Sequence, residues 1–206
     1  MYVIFELNMK TKTIWITCGL FLFTGFRLNA QEFKYGFLVG YDITKISFTD
    51  MPDNQNYTKY YPMISFNVNG YIRYKCSGIV GLSLEPGFIR KGSMIKLPFQ
   101  EGKISHQRQY LQMPVLVDLY FTNQLFLSVG PEIAYMLNNE PSINHFELSG
   151  IIGLNYKINE KVDVGFRYNH GLTYTREFMY TNDLGLLISK PKEFNLYFQL
   201  IVRYKI

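Results

Sequence analysis

The sequence predicts an all-β protein, an eight-stranded antiparallel up-and-down transmembrane β-barrel preceded by a cleavable signal peptide. Three observations lead to this expectation. After Gln31 the residues alternate between apolar types and polar or small types, which is the period of a β-strand. The connections between these segments are alternately long and short. Aromatic residues make up 17% of the chain and charged residues only 18%, below the roughly 25% of soluble domains.

The one long apolar run predicts a signal peptide over residues 1–30, followed by a single barrel domain over residues 31–206. Two lysines precede the run at 14–26, which is shorter than the roughly 20 residues of a spanning helix. A charged start, a short apolar middle and a small residue such as Ala30 are typical of a secretory leader. We expect cleavage directly after Ala30, with Met9 as an alternative natural start and an uncleaved membrane anchor as the alternative structure.

The charge of the mature chain gives no indication of a nucleic-acid partner. Removal of the leader takes Lys10, Lys12 and Arg27 from 21 basic residues and Glu6 from 16 acidic residues, which leaves 18 and 15 and a net charge of +3. A nucleic-acid-binding surface needs a much stronger basic excess. Cys76 is the only cysteine of the mature chain, so no internal disulfide can form.

Eight strands are expected, each with an apolar row of one parity opposite a row of polar or small residues. Their expected bounds are 35–48, 62–75, 79–90, 107–121, 125–138, 145–158, 162–175 and 193–206. The apolar rows include, strand by strand, Phe37 and Val39, Ile64 and Phe66, Val80 and Leu82, Leu111 and Met113, Leu127 and Val129, Leu148 and Ile152, Val164 and Phe166, and Phe198 and Leu200. The opposite rows include Gly40 and Asp42, Asn67 and Arg73, Ser83 and Glu85, Gln112 and Asp118, Ser128 and Glu132, Glu147 and Asn155, Asp163 and Arg167, and Gln199 and Arg203.

The connections predict one rim of turns and one rim of loops. The stretches CSG, TNQ and NEK join strands tightly, whereas KGSMIKLPFQEGKISH and REFMYTNDLGLLISKPK are long. Strict alternation of tight and long connections is expected when consecutive strands pair as antiparallel neighbours around a barrel.

The composition of the two rows predicts which row faces outward. The apolar rows hold large side chains, whereas the opposite rows hold mostly glycine, serine, asparagine and single charges. Small and polar residues suit the narrow inside of an eight-stranded barrel. A strand protein in hydrocarbon must close, so that no backbone hydrogen-bonding group is left unpaired. We therefore expect the apolar rows to face lipid, the alternative being a soluble periplasmic barrel with its apolar rows inward.

Four segments resemble recurring strand motifs of the PorT-like outer-membrane β-barrel proteins of Bacteroidota. They are LSLEPGFIRKG, YLQMPVLVDLYF, LFLSVGPEIAYML and FRYNHGLT. The leader ending in NAQ is similar to signal peptides of the same bacteria, and the resemblance covers essentially all of residues 31–206. It implies an eight-stranded barrel in the outer membrane and, from the name-giving member, a part in protein secretion, although a fold alone does not transfer such a role.

The charges of the inner rows are the first candidate site. Arg73, Glu85, Asp118, Glu132 and Arg167 are expected to pair across the lumen near mid-barrel, because an isolated buried charge is very costly. Such a network is either an ion path or gate, or a plug of salt bridges that fills the barrel. The second interpretation is favoured because eight strands leave no open channel.

A basic loop after the third strand is the second candidate site. Lys91, Lys96, Lys103 and Arg108 are expected to form a positive patch at the height of lipopolysaccharide phosphates, the alternative being solvated loop charge. The three histidines, His106, His145 and His170, have no metal-ligand spacing. Neither a metal, nor a cofactor, nor catalytic residues are therefore expected.

The sequence and the resemblance together predict an integral outer-membrane protein with a structural or interaction role in the cell envelope, as an accessory of protein secretion, and not an enzyme. The alternative is a narrow transport or ligand-binding barrel. The expected partners are outer-membrane lipid and lipopolysaccharide, an envelope or secretion protein, and the outer-membrane assembly machinery. The resemblance implies that this machinery recognises the last strand, which has Tyr204 and Ile206 at its final apolar positions.

Overall fold

The protein is described from a computed structural model. The structure describes residues 32–50, 59–97, 101–140, 143–181 and 187–206, so the predicted signal peptide lies outside the described residues. The strands are β1 (Glu32–Thr49), β2 (Lys59–Tyr61), β3 (Met63–Lys75), β4 (Val80–Leu84), β5 (Gly87–Lys96), β6 (Ile104–Tyr120), β7 (Leu125–Met136), β8 (Phe146–Lys157), β9 (Val162–Gly171), β10 (Arg176–Glu177), β11 (Tyr180–Thr181), β12 (Leu187–Ser189) and β13 (Lys192–Lys205). Within these ranges no helix is long and apolar enough to cross a membrane.

Eight barrel strands form a closed antiparallel ring. They run in the order β1, β3, β4 with β5, β6, β7, β8, β9 and β13, and β13 pairs with β1 again. The closing contact between β1 and β13 extends from Gly36↔Lys205 to Thr49↔Lys192. Because every barrel strand is paired on both sides, the ring leaves no long edge open. The predicted eight-stranded up-and-down architecture is confirmed.

The two rims of the barrel differ as the connections predicted. Tight turns join β3 to β4, β6 to β7 and β8 to β9. At the opposite rim the short strand β2 pairs with β5, β10 pairs with β13, and β11 and β12 form a small hairpin of their own. In barrels of this kind the short turns face the periplasm and the long loops face outward.

The outward-facing residues form an apolar belt around the barrel. We define the belt by the alternate, apolar residues within 35–43, 64–72, 80–88, 111–119, 127–135, 148–156, 162–168 and 196–204. Most of these segments are about nine residues long, which matches the length of a tilted transmembrane strand. Exposed apolar residues and buried polar residues are the reverse of a soluble barrel, so the predicted orientation of the rows is correct. In β6 the belt does not include residues 104–109 on the long-loop side, where the polar residues Ser105, Gln107 and Gln109 point outward.

The third predicted strand, 79–90, differs from the observed one in length and continuity. Pro86 interrupts it between β4 and β5, because proline has no N–H to donate to the ladder, although the Pro86 carbonyl still accepts a hydrogen bond from the Gly70 amide at 2.8 Å. Both pieces keep one register with β6, as in Leu84↔Val115 and Gly87↔Gln112. The strand then continues to Lys96, six residues beyond its predicted end.

Large inner residues are accommodated by glycines on the adjacent strands. Ile201 in β13 is fully buried and lies opposite Gly40 in β1 and Gly165 in β9. A Cβ atom added at Gly165 would come within 3.1 Å of Ile201 Cγ1. Tyr71 in β3 lies opposite Gly36 in the same manner. These pairs let a narrow barrel hold bulky side chains beside its charges.

Candidate functional site

The interior of the barrel holds a dense set of buried charged side chains. The carboxylates are Asp42, Glu85, Asp118, Glu132, Glu147, Asp163 and Glu193, and the cations are Arg73, Lys91, Arg108, Arg167, Arg203 and Lys205. Seven acids and six bases thus nearly balance within the described residues. This balance is needed because a buried ion costs several kcal/mol unless a counter-ion and hydrogen bonds compensate it.

Nearest the short turns, Arg73 joins two carboxylates from other strands. Its Nε atom donates to Asp118 Oδ2 at 2.7 Å, and its Nη1 atom donates to Asp163 Oδ2 at 3.2 Å. Lys205 Nζ donates to Asp163 Oδ1 at 2.5 Å. The hydroxyl groups of Ser83 and Ser128 donate to Asp118. Strands β3, β6, β9 and β13 are therefore tied together across the lumen.

At mid-barrel, Glu85 accepts hydrogen bonds from two arginines. Arg167 binds it bidentately, with Nη1 to Oε2 at 2.6 Å and Nη2 to Oε1 at 2.7 Å. Arg203 Nε donates to Glu85 Oε1 at 3.1 Å, and Arg203 Nη1 donates to Asn155 Oδ1 at 2.9 Å. The fork of a guanidinium matches the two oxygens of a carboxylate, which gives this ion pair a fixed geometry.

Nearer the long loops, Lys91 lies between two carboxylates. Its Nζ atom donates to Glu132 Oε1 at 2.8 Å and to Glu147 Oε1 at 2.9 Å, and all three side chains are 0% exposed. Tyr197 Oη donates to Glu132 Oε2 at 2.7 Å, and Asn195 Nδ2 donates to Glu147 Oε2 at 2.6 Å. Ser149 Oγ also donates to Glu147 and Asn169 Nδ2 to Glu132, so one ammonium group and four neutral donors bind the two buried carboxylates.

At the long-loop rim, Arg108 closes the network. It forms an ion pair with Glu193 through Nη1, and its Nε atom donates to Glu140 Oε2 at 3.4 Å. The Thr175 hydroxyl donates to Glu193 Oε1 at 2.9 Å. His106, two residues from Arg108 and beyond the apolar belt, is half-buried, and this burial lowers its pKa, with the positive charge of Arg108 as a second cause.

The five residues that the sequence singled out for the lumen all lie there. The structure pairs Arg73 with Asp118 and Arg167 with Glu85. The cation that neutralises Glu132 is Lys91, which the sequence analysis had assigned to a loop. The signal was present in the chain, because Glu85, Ile89 and Lys91 share one parity and the alternation simply continues past Arg90.

The predicted basic loop is corrected by these placements. Lys91 and Arg108 are buried inside the barrel, because β5 and β6 extend beyond the predicted strand ends and their inner rows carry these residues inward. Lys96 and Lys103 remain exposed at the loop end of the same hairpin. Two of the four residues proposed for lipopolysaccharide contact are therefore inaccessible to it.

The described part of the lumen contains ion pairs. Among the residues that the structure describes, no group of three His, Cys, Asp or Glu side chains could hold a metal ion. Chemically, the arrangement pairs its own charges and holds the strands in register.

Residues 29–176 match the family described as Outer membrane protein beta-barrel domain, which is more than half of the chain. The chain belongs to this family.

Membership of the outer membrane barrel family places the protein in the outer membrane and agrees with the closed ring and its apolar belt. The finer resemblance to the PorT-like proteins of Bacteroidota stays a prediction. The comparison with curated protein sequences gave no match.

Several solved outer-membrane proteins are similar to this member of the family in overall structure. OprG from Pseudomonas aeruginosa is 17% identical, with a TM-score of 0.43 over 84% of this chain and 97% of that one. Ail of Yersinia pestis is 12% identical, with a TM-score of 0.48 over 85% of this chain and 99% of that one. Neisserial surface protein A is 13% identical, with a TM-score of 0.38 over 86% of this chain and 100% of that one.

Proposed function

We propose that the protein is a closed, non-enzymatic barrel that serves as a structural or interaction module of the cell envelope. The observation that supports this role is the filled lumen, in which buried ion pairs of Arg108, Lys91, Arg167 and Arg73 follow one another from the loop rim to the turn rim. Salt bridges between buried side chains hold strands in place, and side chains fill the interior of an eight-stranded barrel, so we expect no passage of ionic size. A barrel without a passage acts through its surfaces, and binding residues concentrate on loops held by a rigid scaffold.

The finer form of this proposal is an accessory role in protein secretion, which rests on the sequence motifs that resemble the PorT-like family. It is tested by photo-crosslinking from the exposed loop residues Met179 and Ile188, followed by mass spectrometry of the captured proteins. Capture of secretion components, with loss of secreted proteins when the gene is deleted, is the expected result. Normal secretion in the deletion strain would contradict the accessory role and leave the structural role to be tested by envelope integrity.

A narrow transport or ligand-binding barrel is the second candidate. It is favoured by one observation, which is that Asp42 lies buried in the lumen with no cation within ion-pair distance among the described residues, and with Asn67 Nδ2 donating to it at 2.8 Å. A carboxylate without a counter-ion in a lumen is a feature of ion pathways. Planar-bilayer recordings separate the two candidates. Steady current that the Asp42→Asn variant alters supports transport, whereas silent bilayers support the closed barrel.

Contact with lipopolysaccharide is proposed for the cations that stay exposed on the β2–β5–β6 end of the barrel. Lys59 pairs in register with Lys96, and Lys103 Nζ lies 4.0 Å from the centroid of the Tyr61 ring. Together with Arg90 on the outward face, these cations lie just above the apolar belt, at the height of lipid A phosphates.

The test replaces Lys96 and Lys103 by Gln and measures binding of lipid A by the purified barrel. Weaker binding and greater detergent sensitivity of cells are expected. Lys161→Gln is the matched control, because it removes an exposed positive charge from the opposite rim. Equal binding by the double variant and the control would refute the contact.

A further inference from the structure

The mouth of the barrel at the short-turn rim contains a small basic cavity. It has a volume of about 40 Å³, and its walls include Arg73, Lys75, Lys157 and Lys205, with Lys34 at the edge. One buried water needs roughly 10–15 Å³ of such space, so the cavity holds about three oxygen atoms. Tyr120, Asn123 and Phe126 contribute the neutral part of the wall, and Asp163 contributes one carboxylate.

Among the described residues, the four cations Arg73, Lys75, Lys157 and Lys205 contact three carboxylates. Arg73 forms ion pairs with Asp118 and Asp163, and Lys205 shares Asp163. Lys157 Nζ lies 2.8 Å from Glu160 in the adjacent turn, and Lys34 Nζ lies 3.7 Å from the same carboxylate. Lys75 contacts no carboxylate in the part of the chain that the structure describes.

Two donors at the cavity have no acceptor among the residues that the structure describes. Lys75 Nζ lies 4.6 Å from the centroid of the Tyr120 ring, which positions the ammonium group but accepts no strong hydrogen bond. Arg73 is 4% exposed, and its Nη2 group has no hydrogen-bond partner among the described residues. A buried guanidinium donor without a partner is costly, and an anion that accepted its hydrogen bond would remove that cost.

We propose that this mouth is a binding site for a phosphate group. The donors are the guanidinium group of Arg73 and the ammonium groups of the lysines, and such groups bind phosphate oxygens in proteins. Lys75 and Lys157 supply the direct contacts from the rim, and Arg73 supplies the buried charge below them. The site lies on the axis of the barrel and is independent of the surface role proposed above.

The phosphate has two sources that fit this chemistry. The short turns bring the cavity close to the level of the headgroups of the inner leaflet, and Tyr120 and Tyr156 mark that level on β6 and β8. A phospholipid headgroup can therefore enter from the rim. A soluble phosphate of the periplasm can enter along the axis. Both would meet the same lysines, so the experiment must separate them.

The test uses the refolded barrel with the amide NMR signal of Asn123 as the reporter. In a glucoside detergent, which carries no phosphate, inorganic phosphate is titrated into the protein. In a parallel sample in the same detergent, phosphatidylglycerol is titrated instead. A shift of the Asn123 signal with inorganic phosphate supports a soluble ligand, and a shift with phosphatidylglycerol alone supports the lipid headgroup.

The variants connect the signal to the site. Lys75→Gln is expected to weaken phosphate binding about tenfold, since it removes one charged hydrogen bond, and addition of Lys157→Gln is expected to weaken it further. Lys161→Gln is the matched control, because Lys161 is an exposed lysine of the adjacent turn that does not line the cavity. If Lys75→Gln fails to fold, Lys157→Gln alone carries the comparison. No response to either probe, or equal weakening by Lys161→Gln, would overturn the site while leaving the closed-barrel proposal intact.

Discussion

Replacement of Lys91 by Met tests the charged lumen most directly. Lys91 is the one cation within ion-pair distance of Glu132 and Glu147 in the part of the chain that the structure describes, and the methionine side chain has a similar length without the charge. The two carboxylates would then lie close together inside the barrel without a counter-ion. The neutral donors Tyr197 and Asn195 would remain in place.

The cost of this substitution follows from the geometry. One oxygen of each carboxylate lies within 2.9 Å of Lys91 Nζ, so the two groups lie on the order of 5 Å apart. At an effective dielectric constant of about 20, their repulsion is about 3 kcal/mol. Removal of one partner of a buried ion pair costs about 3–5 kcal/mol in other proteins. We therefore expect the free energy of unfolding to fall by about 3–5 kcal/mol.

The assay is urea unfolding of the mature barrel in lipid vesicles, followed by circular dichroism because the single tryptophan, Trp15, belongs to the predicted leader. Lys96→Met is the matched control on the same strand, where an exposed lysine should change stability by less than about 0.5 kcal/mol. Glu132→Gln and Glu147→Gln, added to Lys91→Met, should recover most of the loss. Equal stability of the Lys91 and Lys96 variants would refute the lumen assignment and restore the predicted loop.

Two further predictions concern a close contact and a titrating group. Gly153→Ala should destabilise the barrel by about 1–3 kcal/mol, because the new Cβ would lie 2.5 Å from Arg167 Cγ. Gly78→Ala, with nothing within 4 Å, should leave urea stability nearly unchanged, and equal losses in both would contradict the packing argument. His106 should titrate below its ordinary pKa in an NMR titration, because its burial disfavours the imidazolium. Protonation of His106 therefore destabilises the β5–β6 hairpin, and the stability of the hairpin decreases as the pH falls below the ordinary pKa near 6.5. Amide exchange in the hairpin should accordingly increase at acid pH. A midpoint above 6.5 would be inconsistent with burial.

The faces of the barrel could be predicted because alternation is a local property of a strand. Successive side chains point to opposite sides, so one parity must face the lumen wherever the other faces lipid. Tyr41 is exposed and its neighbour Asp42 is buried, as the alternation in β1 requires. The same holds for the even and odd residues of β13, and for its pairing with β1.

The ends of the strands were predicted less well, because they depend on partners as well as on residue type. Lys91, Gly92 and Ser93 read as a polar loop, yet β5 continues through them because β6 supplies a partner as far as Ile104. Hydrogen bonding to that partner outweighs the low strand propensity of the segment. The assignment of Lys91 and Arg108 to the basic loop was wrong for this reason, whereas Lys96 and Lys103 stay exposed.

The alternating sequence contains enough information for the closed barrel, its lipid-facing side and most of the charges inside, since each of these follows from residue parity and composition. Which charges meet is a property of the tertiary structure. Lys91 and Glu147 are 56 positions apart, and they contact because strand register and barrel closure place them at one height of the lumen. Ile201 fits on the inner row for the same reason, since register aligns it with Gly40 and Gly165. A contact across the narrow lumen depends on the registers of several strand pairs at once, so the local pattern of a single strand cannot predict it.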